Sequence, residues 1–250
     1  MKLACIAAGV VSAVGLTTSA QATIVLDFEG FDNGQSISNG FIFDTIVGGA
    51  SITASGDNLG AAIFDSTMGG PNADGPDPDL LVGLGNVLIL QNNNTPDMTG
   101  DLFNTPDDDP NGGSIVFDWG AGEETTGVEL SSIDLIDLDR NGQDATVILT
   151  DAAGLTRTYV VPSNWTRDID LNGPLGYGTL DLTTLDDQAG ELDTVATASE
   201  EIGFSSTSVL TLEVIFEGSA ALDNIVIVPA PAATALLFAP LFSRRRRRRA

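Results

Sequence analysis

Asp27 and Glu29 stand two residues apart in Leu26-Asp27-Phe28-Glu29-Gly30. Carboxylates at that spacing on a strand face the same side. A third acid, Asp223, sits among apolar neighbours in Ala221-Leu222-Asp223-Asn224-Ile225. A carboxylate turned into such a setting is costly unless it is paired or bound to a metal. Other acids crowd two loops: Asp74, Asp77 and Asp79 in one, Asp107, Asp108 and Asp109 in the other. Neither group has the spacing of a helix-loop-helix calcium loop. Asp137-Leu138-Asp139-Arg140-Asn141-Gly142 begins like such a loop, but Ile148 stands where the closing Glu belongs. It reads more simply as a solvated turn after a strand. Paired carboxylates also hydrolyse glycosides, yet among 35 acidic residues no motif singles out a pair. No catalytic residue is assigned, and the chain is read as a non-enzyme. Trp119, Trp165, Tyr159 and Tyr177 offer flat faces for a sugar, although such side chains in a β-protein more often fill the core.

Composition narrows the chemistry. The chain has no His, which removes Ser-His-Asp and Cys-His triads and His-ligated zinc together. Its only cysteine is Cys5, so the body after it has no disulfide. Of ten basic residues, Lys2 and the six arginines from 244 to 249 lie at the chain ends. That leaves Arg140, Arg157 and Arg167 against all 35 acids. Such a body repels nucleic acid and anionic membrane surfaces. It either attracts divalent cations or stays soluble in high salt, where its self-repulsion is screened.

The elements that position these acids are strands. Apolar residues alternate or come in short bursts, and Gly, Asn, Asp and Pro interrupt them about every ten residues, the pattern of an all-β antiparallel sandwich. Strands are expected over 23–28, 40–45, 50–55, 86–91, 114–119, 127–139, 145–151, 156–161, 208–217 and 221–228. The alternation in 128–138 slips near Ser131-Ser132, which predicts a bulge. In the strand over 208–217, Leu210, Leu212, Val214 and Phe216 share one face. Residues 56–86 and 92–113 read as long loops, and 181–201 as an acidic stretch with one short helix.

The two ends carry addresses. Lys2, the apolar run 3–16 and Ala20-Gln21-Ala22 form a signal peptide, with cleavage by signal peptidase before Thr23. The last residues read Val228-Pro229-Ala230-Pro231, an apolar segment, then Arg244, Arg245, Arg246, Arg247, Arg248 and Arg249. Arginines beside an apolar segment stay on the cytoplasmic side. This arrangement resembles the PEP-CTERM sorting signal, with Ala230 where that family has Glu. The resemblance implies processing by an exosortase-type membrane protease, transient anchoring in the inner membrane, and a final place in the cell envelope or outside it. The chain then divides into a signal peptide (1–22), an exported domain (23–227) and a sorting signal (228–250).

The body has its own likeness. Leu26-Asp27-Phe28-Glu29-Gly30 opens it and Phe64-Asp65 follows. Gly85-Asn86-Val87-Leu88-Ile89 and Gly113-Ser114-Ile115-Val116-Phe117-Asp118 come next, and Glu217-Gly218-Ser219-Ala220-Ala221-Leu222-Asp223-Asn224-Ile225 closes it. These motifs are similar to those of exported domains ahead of PEP-CTERM tails and of jelly-roll carbohydrate-binding modules. The likeness implies a jelly-roll-like sandwich with a structural Ca²⁺ between its first and last strands, here on Asp27, Glu29 and Asp223. The function it implies is structural or adhesive, in an extracellular matrix of biofilm or exopolysaccharide. A carbohydrate-binding module and a polysaccharide-acting enzyme remain the alternatives.

Overall fold

The computed structural model describes residues 23–43, 49–121, 127–138, 143–166 and 176–228. The expected signal peptide with Ala20 and Ala22, the tail from Pro229 onward, and residues 139–142 of the calcium-loop-like turn lie outside the described residues.

Seventeen strands form among the described residues. In chain order they are β1 (Ile24–Leu26), β2 (Ser36–Ile37), β3 (Phe41–Phe43), β4 (Ala50–Ser55), β5 (Ala61–Asp65) and β6 (Asn86–Leu90). Then come β7 (Met98–Thr99), β8 (Leu102–Phe103), β9 (Gly113–Asp118), β10 (Glu129–Ile136), β11 (Ala145–Asp151) and β12 (Thr156–Val161). The last are β13 (Tyr177–Asp181), β14 (Gln188–Ala189), β15 (Val195–Glu200), β16 (Val209–Phe216) and β17 (Ala221–Val228). One sheet runs β13-β10-β17-β6-β5-β2, with β1 also on β17. The other runs β14-β15-β12-β11-β16-β9-β4-β3, and β7 and β8 pair separately. The strand pairs are antiparallel, and the molecule is an all-β sandwich.

The two sheets enclose one core. Leu88, Leu90, Ile133, Leu135 and Ile227 from the first sheet join Ile115, Phe117, Val147, Leu212 and Val214 from the second. Tyr159, Trp119 and Trp165 are buried in this core. Half-buried Tyr177 packs against a second apolar cluster. The four aromatic residues therefore fill the interior and form no exposed sugar platform.

That second cluster lies on the opposite face of the first sheet, because side chains alternate along a strand. Ala62, Phe64, Val87, Ile89, Ile136 and Ala221 lie there under Leu80, Val82 and Phe103 from the two long loops. A sheet covered on both faces has continuously apolar strands. For this reason β5 (AAIFD) carries no alternation and falls within the 56–86 stretch expected to be loop.

Two further expectations are corrected and one is met. The acidic stretch 181–201 holds strands β14 and β15 beside its one short helix, a 3₁₀ turn at Glu191–Asp193. Short polar side chains in Val195–Glu200 conceal that strand. In β16 the register shifts opposite Thr150 and Asp151, so Val209 takes the core position and Leu210 is half-buried. The predicted slip in β10 is present, with register shifts on both sides of Ser132.

Trp165 anchors the far edge, donating from Nε1 to the Gln188 carbonyl at 3.1 Å. A Cβ on Gly190 would overlap its indole ring. Gly190→Ala should therefore cost about 2 kcal/mol through overpacking, read as a lower urea midpoint. An unchanged midpoint would show that the indole can move aside.

Candidate cation sites

The first site forms where three strands meet on β17. β10 lines one side of β17. The other side is shared end to end by β6, which pairs Leu88 with Leu222, and β1, which pairs Leu26 with Ile225. Asp223 and Asn224 fall in the notch between them. The β10–β17 register also breaks there, from Asp134 opposite Asp223 to Ser132 opposite Val226. Asn224 takes φ 48°, a left-handed conformation that Asn tolerates well, and it marks a bulge.

β1 continues into this notch. Phe28 is buried at φ 54° between exposed Asp27 and Glu29. Glu29 is tied to the start of β6, where Asn86 N–H donates to Glu29 Oε1 at 3.0 Å. Gly85, at φ 87°, lies against the same carboxylate, and a side chain there would overlap it. The Glu29 backbone N–H donates to Asp27 Oδ1 at 3.3 Å.

Asp223 is 1% exposed. Its Oδ1 has no hydrogen-bond donor among the described residues. Asp134, also buried, accepts from Thr179 Oγ1 at 2.5 Å and from Asn224 Nδ2 at 2.9 Å. Burial, and then the charges of Asp134, Glu29 and Asp27, push the Asp223 carboxyl up to about 8, against a lowering hydrogen bond from the Asn224 backbone. Asp27 and Glu29 thus lie close enough to Asp223 for their charge to act on it. Asp134 joins them; it was not singled out above, although Ile133-Asp134-Leu135-Ile136 carries the same signal that marked Asp223, a lone carboxylate among apolar neighbours.

The second site joins the two acidic loops that the sequence left apart. Asp77 precedes the 3₁₀ turn Pro78–Leu80. Asp107 and Asp108 lie alongside the end of β6, where Asn92 N–H donates to Asp107 O and Asp109 N–H to Leu90 O, each at 2.8 Å. One oxygen from each of Asp77, Asp107 and Asp108 lies within 4.8 Å of the others. No other three acids among the described residues come so close. The Asp108 N–H donates to Asp77 Oδ2 at 3.0 Å, Ser219 Oγ to Asp108 Oδ2 at 2.5 Å, and Asn92 Nδ2 to Asp107 Oδ2 at 3.0 Å. Burial, with Asp108 and Asp107 beside it, pushes Asp77 up to about 9. Burial, with Asp79 and Asp107 beside it, pushes Asp108 up to about 7, against the Ser219 hydrogen bond. This buried cluster can hold a metal ion. Exposed Asp74 is not part of the trio, and neither is Asp109, whose Oδ1 is taken by Asn111.

Arg157 is the only basic residue among the described ones. It pairs with Glu200, donates to the Leu182 carbonyl at 2.9 Å, and stacks 4.9 Å over Phe204. Neither acidic site therefore has a described side-chain cation. At the third candidate turn, Asp137 takes φ 49° and its N–H donates to the Gly176 carbonyl at 2.7 Å.

A polar cleft of about 500 Å³ opens beside β2 and β4, with Ser36, Ser38, Asn39, Ser55 and Asn58 among its lining residues. None of the lining residues is aromatic. Asn39 and Asn58 already accept from the Ala54 and Gly60 backbones. Comparison with protein-family models and with curated proteins returns no match.

Proposed function

We propose that this chain is an exported, non-enzymatic β-sandwich protein of the cell surface or extracellular matrix, sorted by its C-terminal signal and stabilised by Ca²⁺. One observation supports the cation: Asp77, Asp107, Asp108, Asp134 and Asp223 are wholly or partly buried, while the single described Arg is engaged elsewhere. Buried carboxylates facing one another need a counter-charge or a proton. The donors are all oxygens, the ligand class of hard cations. Ca²⁺ accepts irregular oxygen sets, whereas Mg²⁺ demands near-ideal octahedral geometry. Asp27, Glu29, Asp134 and Asp223 would hold one ion between the first and last strands only by drawing together around it, since no three of them have oxygens within 4.8 Å of one another. Asp77, Asp107 and Asp108 would hold another between the loops. An ion bound only by the folded state stabilises it by mass action.

The sorting half rests on the two ends: the signal peptide before Thr23, and the ordered run of Val228-Pro229-Ala230-Pro231, apolar segment and arginines. The protein recovered from the cells that make it should start at Thr23 and lack Arg244 to Arg249, by intact mass. A chain that keeps both ends and stays in the cytoplasm would sink this reading.

A further inference from the structure

The β1–β17 ladder sets Ile24 opposite Ile227 and Val25 opposite Val226. On the other side of β17, Glu129 lies opposite Val228 and Leu130 opposite Ile227. Thr23, where the exported chain is expected to begin, is one residue before β1. Val228, where the sorting motif begins, is the last residue of β17. The two processing junctions therefore leave the sandwich as neighbouring strand ends, with paired strands about 4.8 Å apart. Among the described residues only Thr23 precedes β1, and nothing follows β17. Ile225 and Ile227 are fully buried, and Val228 is half-buried against its partners.

A protease holds its substrate extended over several residues around the scissile bond, with the backbone groups free to pair with the enzyme. Around a cut near Pro229-Ala230-Pro231 those residues include Ile227 and Val228, whose backbone groups already pair with β1 and β10. We infer that the β1–β17 ladder couples C-terminal processing to opening of the sheet: an enzyme cutting at the Pro-x-Pro motif must first peel the end of β17 from β1 and β10. This rests on reading the tail as a sorting signal. The partner it implies is a membrane protease with an extended-strand cleft, acting on chains whose last strand is not yet seated or has frayed. Cleavage then reports the open fraction of β17, because proteolysis of a transiently opened segment follows its population when closing is fast.

The test compares the full-length chain with a variant carrying a short flexible Gly-Ser linker between Val228 and Pro229. Purified full-length protein is first exposed to proteinase K, and cleavage between 227 and 232 is followed by mass. The linker variant should be cut about tenfold faster or more, because opening of β17 is no longer required. Ile227→Ala, which loosens the strand end without a linker, should be cut at an intermediate rate. Equal rates for native and linker chains would overturn the coupling. The same pair is then expressed in the cells that export the protein, and loss of the arginine run is followed by pulse-chase. Faster loss from the linker variant supports the inference. Equal loss from both overturns it. If neither chain loses its arginines while proteinase K still distinguishes them, the sorting reading falls, and the inference falls with it.

Discussion

Stripping divalent metal with EDTA near pH 8 should lower the melting temperature of this protein by roughly 10 °C, and millimolar Ca²⁺ should restore it. A ligand present at about 100 times its dissociation constant contributes about 2.7 kcal/mol to the folded state. For a domain of this size each kcal/mol moves the midpoint by about 2–4 °C, and there are two candidate sites. The sharper test is Asp223→Asn. The amide keeps the shape of the side chain but removes the charge that Asp134, Glu29 and Asp27 repel. In EDTA this variant should melt higher than the native protein, because a buried, uncompensated charge is gone. In Ca²⁺ it should melt lower, because one ion has lost a ligand. The same crossover is expected for Asp108→Asn at the loop site, and the double variant should show almost no calcium shift. Identical melting with and without EDTA at fixed ionic strength would refute both sites and leave the acidity as adaptation to salt.

The second large effect is a stability that falls as pH rises when metal is absent. Asp223 is pushed up to about 8, Asp108 to about 7 and Asp77 to about 9, each from an ordinary 3.8. Between the ordinary and the raised values the folded chain holds protons that the unfolded chain has released, so the slope of stability with pH is negative. The favourable contribution is complete below about pH 4 and is lost as the pH passes through 7 to 9. Even with half-buried Asp77 set aside for solvent screening, Asp223 and Asp108 each lose about 1.4 kcal/mol per pH unit up to their raised values, so the loss between pH 5 and 8 should be on the order of 5 kcal/mol. Asp151 acts at the acid end. Burial raises it, but backbone N–H groups of Ser205, Leu155, Ala153 and Gly154 outweigh this and hold its carboxyl low. Its contribution is lost only as pH falls through that depressed value. Without metal, stability should therefore peak near pH 4–5. With Ca²⁺ the slope should flatten or reverse, because the ion binds the deprotonated carboxylates. Urea titrations across this range, with EDTA and with Ca²⁺, measure both slopes. Stability that rises with pH in EDTA would contradict the protonated, metal-free clusters.

The fold was legible where one sheet face meets water. β4, β11, β12 and β17 have the bounds expected for them, because turn residues bracket each and apolar residues alternate within most. β5, a short burst covered on both faces, and β15, built of Val, Ala, Thr, Ser and Glu, were missed, whereas doubly covered β6 was read from its Val-Leu-Ile-Leu run. Asp223 was legible because a lone carboxylate among apolar neighbours needs a reason. Asp134 stands among Ile133, Leu135 and Ile136 in the same way, but its meeting with Asp223 follows only from the register. The trio at Asp77, Asp107 and Asp108 was hidden by distance along the chain. Both loops fold over the outer face of the first sheet because Leu80, Val82 and Phe103 must be buried there, and nothing near Asp77 announces that meeting.

The pairing of the first strand with the last also sets a clock. Ile24 finds Ile227 only after about 200 intervening residues have been made. Contacts so distant in sequence form slowly, because loop closure must precede any gain from pairing. β17 is an inner strand of its sheet, between β10 and β6, so that sheet cannot be completed from a partial chain. For a protein exported as proposed, this topology delays closure until the C-terminal end has emerged. Until then the first sheet lacks the strand that joins β10 and β1 to β6, and its two halves have nothing to pair through.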